Sequence, residues 1–247
     1  MVDCQFGGES TAQDAIDIAG SLLGAVLSAA CLLTACGGSD DPPQDQPVTI
    51  TVAGPNAVST WNEIASATST TRTADQSQLA LFGTSTPPLY WEVNMRTFAT
   101  TNRSLADHAR LMAMVWVAQN DSGNTCFESK YFYERWRPTS AITLADTDGN
   151  AGTYIDAAWV PVMPTPNHPE YPAAHSCISG AMAGILSAYY GTPNITFDFV
   201  GAGPATGITR HYTSMPAMLQ EIQTARIAGG MHFRTSTVEG EAGRNVA

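Results

Sequence analysis

One apolar segment constrains the fold more than any other part of this sequence. Residues 173–190, AAHSCISGAMAGILSAYY, contain no Asp, Glu, Lys or Arg and are long enough for about five turns of helix. Pro172 precedes the segment, and Gly191 and Pro193 follow it, as is typical of the two ends of a helix. A helix this apolar has to be buried on most sides, so the rest of the chain must supply elements that cover it.

Helical periodicity recurs on both sides of this segment. Ser104 can cap one helix, and Arg137-Pro138 would stop another, because proline cannot continue a helix. Strand-like alternation is scarce, so we predict a mainly α-helical domain. The other predicted helices are 61–65, 76–82, about 104–118, about 125–136, about 215–227 and a last one from about residue 235.

The N-terminal part differs from the rest. Residues 18–36 carry no charge and end in Leu-Thr-Ala-Cys, and a polar, Pro-containing stretch follows. This resembles a bacterial lipoprotein signal, in which Cys36 becomes the lipidated first residue, although an apolar N-terminal helix with an incidental cysteine is the alternative. We predict a signal segment at 1–36, a flexible tether at 37–55 and a helical domain at 56–247. The expected product is an exported bacterial lipoprotein, periplasmic or on the cell surface, that touches the membrane only through its anchor.

The charge balance limits the possible ligands. The chain has 11 Lys and Arg against 22 Asp and Glu, a net charge of −11, which argues against non-specific nucleic-acid binding. Three of the basic residues nevertheless lie in KYFYERWRP, residues 130–138. Local cations in an acidic protein indicate one small anionic site.

Two cysteines, Cys126 and Cys177, lie outside the signal-like segment. Their spacing leaves open whether they form a disulfide or remain two small buried thiols. No Cys/His cluster has the spacing of a zinc site.

Three separate stretches carry residues suited to an oxyanion. Lys130 and Arg137 are seven apart, which on one helix places both side chains on nearly the same face. His175 starts the apolar helix, where free backbone N–H groups suit an anion. Taken singly, these are more typical of a solvated helix face and of a helix-end histidine.

The third stretch contains Arg226 and His232, six apart. On a continuous helix they would lie on opposed faces. Gly229-Gly230 between them can break the helix, so that both side chains turn inward.

The order and spacing of the three stretches resemble a known signature. Lys-x6-Arg-Pro, Pro-x-x-His and Arg-x5-His resemble the motif shared by vanadium-dependent haloperoxidases and type 2 phosphatidic acid phosphatases. The flanking residues ERWRPTSAI, HPEYPAAH and GGMHFR look closer to the haloperoxidase branch. The resemblance covers about residues 74–247 and implies a helical bundle of the haloperoxidase and acid phosphatase type, shortened in its N-terminal half. A shortened bundle would expose apolar surface, which a homodimer could cover.

The resemblance also implies roles for individual residues. His232 would be the axial vanadium ligand in a peroxidase or the nucleophile in a phosphatase, and His175 would be the acid/base. The residues expected to contact the bound vanadate or phosphate are Lys130, Arg137, Ala173, Ala174, His175 and Arg226.

Two departures from the family pattern affect this site. The family block Pro-Ser-Gly-His is here Pro172-Ala173-Ala174-His175, which removes one hydroxyl donor and would strain Ala174 if its φ had to be positive. The acid that the family often places four residues after the axial histidine is Ser236. We expect Ser236 to hold the ring without supplying charge, so that His232 is less basic.

Three functions follow from these observations. The first is a haloperoxidase that uses vanadate as cofactor and hydrogen peroxide to oxidise halide, acting on a small organic substrate. The second is a vanadate-free acid phosphatase that hydrolyses a phosphate ester through a phosphohistidine. The third is a truncated, non-catalytic phosphate-binding lipoprotein.

Overall fold

A computed structural model of the chain describes residues 64–99 and 102–242. All of these belong to one compact unit, Val52–Ala247. The signal-like segment, the tether, Cys36 and most of the helix expected at 61–65 lie outside the described residues. Within the described part, no helix combines the length and the apolar character needed to cross a bilayer.

Helices make up most of the described structure, which confirms the mainly α-helical prediction. The α-helices are α1 (Ala74–Phe82), α2 (Pro87–Glu92), α3 (Leu105–Tyr133), α4 (Pro138–Thr143), α5 (Ala174–Tyr190), α6 (Met215–Ala228) and α7 (Arg234–Ala242). Short 3₁₀ turns lie at Met95–Phe98, Ala145–Thr147 and Gly203–Ala205, and strands β1 (Phe197–Val200) and β2 (Thr209–Tyr212) form an antiparallel hairpin.

Helix α3 is one continuous helix of 29 residues, so the predicted break between about 118 and 125 is wrong. Ser104 caps its start through a reciprocal pair of bonds with Asp107, as predicted. Thr125 and Ser129, in the weak helix-forming stretch, donate their hydroxyls to carbonyls one turn back, which keeps these polar groups within the helix. Packing of α3 along α5 stabilises a helix that local propensity alone would interrupt.

The apolar helix α5 lies at the centre, as its composition predicts. Helices α3, α6 and α7 pack against it, and Gly191 ends it in the left-handed conformation. Large side chains from the flanking elements complete the core, among them Trp91, Phe98 and Phe199. The N-terminus of α5, with its free amide groups, is thereby fixed in position near the ends of the other helices.

Candidate functional site

The first of the three sequence stretches does not form one helix. Helix α3 ends at Tyr133, and Glu134 adopts a left-handed conformation with φ 44°. Lys130 therefore lies in the last turn of α3, and Arg137 is the N-cap of α4. The expectation that both side chains project from one helix face is wrong, because the chain turns before Pro138 starts the next helix.

Lys130 anchors a loop. Its side chain is fully buried, and its Nζ donates to the carbonyls of Pro169 and Glu170, each at 3.0 Å, and to that of Pro172. An ammonium group has three donors, so all are used. Burial lowers the pKa of Lys130 to about 8. In this arrangement Lys130 uses its three donors to hold the loop before α5. Its expected contact with a bound oxyanion stays a prediction.

Arg137 joins two segments of the site. Its Nη1 donates to Met231 O at 2.7 Å and to His232 Nε2 at 3.0 Å. Its Nη2 donates to His168 Nδ1 at 3.0 Å, and its Nε donates to His168 O at 3.1 Å. Burial lowers the pKa of Arg137 to about 10, a value at which the guanidinium is still charged at neutral pH.

The break between Arg226 and His232 is confirmed. Helix α6 ends at Ala228, and Gly230 has φ 77°, so both side chains turn to the same site. Since arginine can only donate, the contact from Arg137 places a lone pair on His232 Nε2 and the ring proton on Nδ1. Burial, together with the cations Arg226 and Arg137, holds the pKa of His232 well below its usual range. The ring is neutral, and its acceptor nitrogen faces the cations.

Glu170 is the main residue that the sequence analysis missed. Its Oε1 accepts from His232 Nδ1 and from Phe233 N, each at 2.9 Å, and its Oε2 accepts from the Ser236 hydroxyl. Ser236 therefore contacts the ring's partner, and the expected direct contact with the ring is wrong. Burial raises the pKa of Glu170, against the opposing effect of the bonds from Ser236 and Phe233.

Arg226 carries an unsatisfied donor. The side chain is buried, and its Nη1 donates to Gly83 O at 2.7 Å, whereas its buried Nε has no partner among the described residues. Burial and the charge of Arg137 lower its pKa to about 9. A buried donor without an acceptor is costly, and an anion at this position would satisfy it.

At the N-terminus of α5, some backbone amides are already hydrogen-bonded and others remain at the helix end. Ala173 is its N-cap and donates its N–H to Ser236 O at 2.9 Å, so this amide is already bonded. Ala174 is the first helical residue and does not have a positive φ, so the expected strain is absent there. The first intrahelical bond comes from Ser176 N, which leaves the earlier amides of Ala174 and His175 at the helix end.

His175 and His168 flank the site. His175 Nε2 donates to Ser85 O at 2.8 Å, and burial followed by the charge of Arg226 holds its pKa well below its usual range. His168 was not predicted; it accepts from Arg137 and packs on Phe127 with ring centroids 5.0 Å apart. Burial lowers the pKa of His168 to about 4, so both imidazoles are neutral at pH 7.

A pocket of about 630 Å³ opens onto these groups. Its wall includes His168, Ala174, His175, Arg226 and His232. An oxyanion such as vanadate or phosphate fits this donor set: the unpartnered Nε of Arg226, the charge of Arg137 and the first amides of α5 would hold its oxygens, and His232 Nε2 would be the nitrogen beside it. Lys130 lies behind the loop, and Ala173 supplies no hydroxyl.

Comparison with known proteins decides the family. The family model of the VCPO second helical-bundle domain matches residues 110–247, more than half of the chain and all three motif stretches. The chain belongs to the vanadium chloroperoxidase (VCPO) family. The predicted relationship and the predicted type of helical bundle are thereby confirmed.

The chain matches only part of the length of its VCPO-family relatives. It is 28% identical to vanadium chloroperoxidase of Curvularia inaequalis, with 51% of this chain and 25% of that protein covered. It resembles a bacterial vanadium-dependent iodoperoxidase with a TM-score of 0.62 and 27% identity, covering 70% of this chain and 42% of the other. An apo-type bacterial vanadium-dependent chloroperoxidase shares the fold, with a TM-score of 0.59 and 17% identity over 77% and 46% of the two chains. The chain thus spans less than half the length of each of these relatives.

Proposed function

We propose that the protein is a vanadate-dependent haloperoxidase that uses hydrogen peroxide to oxidise halide. The observation that carries the proposal is the state of His232. Its ring is neutral, its proton is committed to Glu170, and its Nε2 lone pair faces the pocket's cations. A histidine that binds an oxyanion centre through its ring nitrogen would need such a lone pair on a fixed ring.

The residues around His232 would bind the anion by exchanging partners. An oxyanion would accept the Nε–H of Arg226 and an Nη1–H of Arg137, which now points at His232 Nε2. This exchange would free the Nε2 lone pair while Glu170 keeps the ring in place. When bound, vanadate would supply Lewis-acid chemistry that activates peroxide towards halide.

His175 would act as the acid/base of the site. Its Nε2–H is held by the Ser85 carbonyl, so Nδ1 is the basic nitrogen of its neutral ring. The low pKa keeps that nitrogen unprotonated at neutral pH. His175 would therefore accept a proton from a group in the pocket, acting as a general base in its resting state.

An acid phosphatase is the second candidate, and Glu170 is the observation that favours it. The absence of an acid at position 236 had argued against His232 as a nucleophile. Glu170 supplies a carboxyl group to Nδ1 from another part of the chain. The pair of buried Glu170 and neutral His232 also suits an attacking imidazole, so the two functions must be separated by assay.

The test uses purified protein freed of phosphate and vanadate. Bromide and peroxide are supplied with and without orthovanadate, and bromination of a β-diketone is followed by absorbance. In parallel, hydrolysis of p-nitrophenyl phosphate is measured without vanadate. We expect bromination that depends on orthovanadate and only feeble hydrolysis, which vanadate inhibits.

Two other results would change the assignment. Brisk hydrolysis with no vanadate-dependent bromination would establish the phosphatase. If the folded protein showed neither bromination nor hydrolysis, the phosphate-binding, non-catalytic function would remain. Arg234→Ala is the matched control for a site variant Arg226→Ala, because Arg234 is an exposed arginine at the start of α7 and its removal should leave the rates unchanged.

A further inference from the structure

Two cysteines meet directly behind the pocket wall. Cys126 on α3 and Cys177 on α5 are both buried, and their sulfur atoms lie 2.6 Å apart. This is closer than the roughly 3.5–4.0 Å optimum even for two carbon atoms. They cluster with Ala174, and Ala174 lines the pocket.

The surrounding hydrogen bonds allow the two thiol protons to be lost without leaving an acceptor unsatisfied. Cys177 donates to Cys126 Sγ, and Cys126 donates weakly to Pro172 O at 3.8 Å. Pro172 O also accepts from the Lys130 ammonium. If both thiol protons are removed, this carbonyl keeps its charged donor, so no buried group is left without a partner.

We infer that Cys126 and Cys177 form a disulfide that links α3 to α5 beneath residues 172–175, where the loop leads into α5. The oxidant is a hydroperoxide, and hydrogen peroxide is the simplest member of that class. Cys126 sulfur attacks one peroxide oxygen, the O–O bond breaks, and hydroxide leaves with the thiol proton as water. Cys177 sulfur then attacks the resulting sulfenic acid, and a second water leaves with the remaining proton.

The link has a structural consequence that does not depend on the reaction in the pocket. It would tie the helix that carries Lys130 to the helix that carries His175, joining two residues that are 51 positions apart in the chain. A cross-link over a loop of this length restricts the unfolded chain strongly. The bond from Cys177 lowers the pKa of Cys126, which marks Cys126 as the attacking sulfur.

Peptide mapping tests the inference directly. Folded protein is reduced, freed of reductant, treated with one equivalent of hydrogen peroxide, alkylated and digested with trypsin without reduction. We expect peptides 111–130 and 136–210 to appear as one cross-linked species that reductant separates. Oxidation should raise Tm by roughly 10 °C, and Cys177→Ser should show neither the cross-link nor the rise.

Two outcomes would overturn it. One is that both cysteines of the peroxide-treated, folded protein remain free to react with the alkylating reagent once it is unfolded. The other is that Cys126 is converted to a sulfinic acid while Cys177 stays a free thiol. Cys126→Ser is the companion variant, and it should also lack both the cross-link and the rise in Tm.

Discussion

Replacing Glu170 tests whether this residue organises the site. The carboxylate accepts from three buried or partly buried donors, namely His232 Nδ1, Phe233 N and the Ser236 hydroxyl. Glu170→Ala would remove both carboxylate oxygens and leave all three donors without their acceptor. Each buried donor left without a partner costs about 1–3 kcal/mol, but the hydroxyl can rotate and water can enter the space. We therefore expect a loss of about 3–5 kcal/mol, below the full sum for three unsatisfied donors.

Glu170→Gln should lower stability less than Glu170→Ala, and it isolates the effect of the negative charge. The amide keeps one oxygen for His232 and Phe233, while its NH₂ group meets the Ser236 oxygen, which can turn its hydroxyl away and accept. The expected loss is about 1–2 kcal/mol, equivalent to a fall in Tm of roughly 2–8 °C for a chain of this size. Halide oxidation should fall as well, because the ring loses its charged partner.

Urea unfolding at pH 7.5 in phosphate-free buffer measures these losses. Glu128→Gln is the matched control, since Glu128 is exposed on α3 and should change stability by less than about 0.5 kcal/mol. If both Glu170 variants matched the wild type to within that margin, the buried network would not have the role assigned to it.

Three further outcomes are expected. His175 and His232 stay unprotonated in the folded state, whereas the unfolded chain binds protons below about pH 6.5. These two residues should therefore lower the stability by about 2–3 kcal/mol between pH 7.5 and 5.5. The partly exposed His168 adds a smaller, solvent-screened loss, and the raised pKa of Glu170 acts in the opposite direction; urea titrations at both pH values measure the sum. Gly230→Ala should lower the free energy of unfolding by about 2–4 kcal/mol, because φ is 77° and the new Cβ would lie 2.8 Å from Ala65 O. Gly184→Ala is the control in the same urea denaturation assay, since Gly184 is exposed and nothing lies within 4 Å of its Cβ position; it should not lose stability. The mature protein should begin at lipidated Cys36, and mass spectrometry of an intact Met1 terminus on soluble protein would reject this.

Local chemistry explains what the sequence could predict. The apolar helix α5 is bounded by Pro172 and Gly191, and the break after α6 follows from Gly229 and Gly230. Each of these features depends on residues adjacent in the chain. The scarcity of alternating segments likewise predicted a mainly helical fold, although the small hairpin of β1 and β2 was not foreseen.

The remaining features depend on contacts between distant residues. Glu170 and His232 are 62 residues apart, and no spacing rule joins them, although an acid inside the apolar block HPEYPAAH is an unusual residue to bury. Lys130 could be recognised as a site cation, but its three carbonyl partners are set by the path of the loop at 169–172. The continuity of α3 depends on its packing along α5, which overrides a locally weak stretch.

Direct titration of orthovanadate into the protein tests the central claim, that Arg226 and Arg137 bind an oxyanion beside His232. Calorimetry of the wild type should show one saturable site, with phosphate competing for it. Arg226→Ala should weaken binding by roughly 2–5 kcal/mol, as expected for loss of a buried charged partner, and Arg234→Ala should leave the affinity unchanged. Absence of saturable binding to the folded wild type, or an equal affinity in Arg226→Ala, would contradict the assignment.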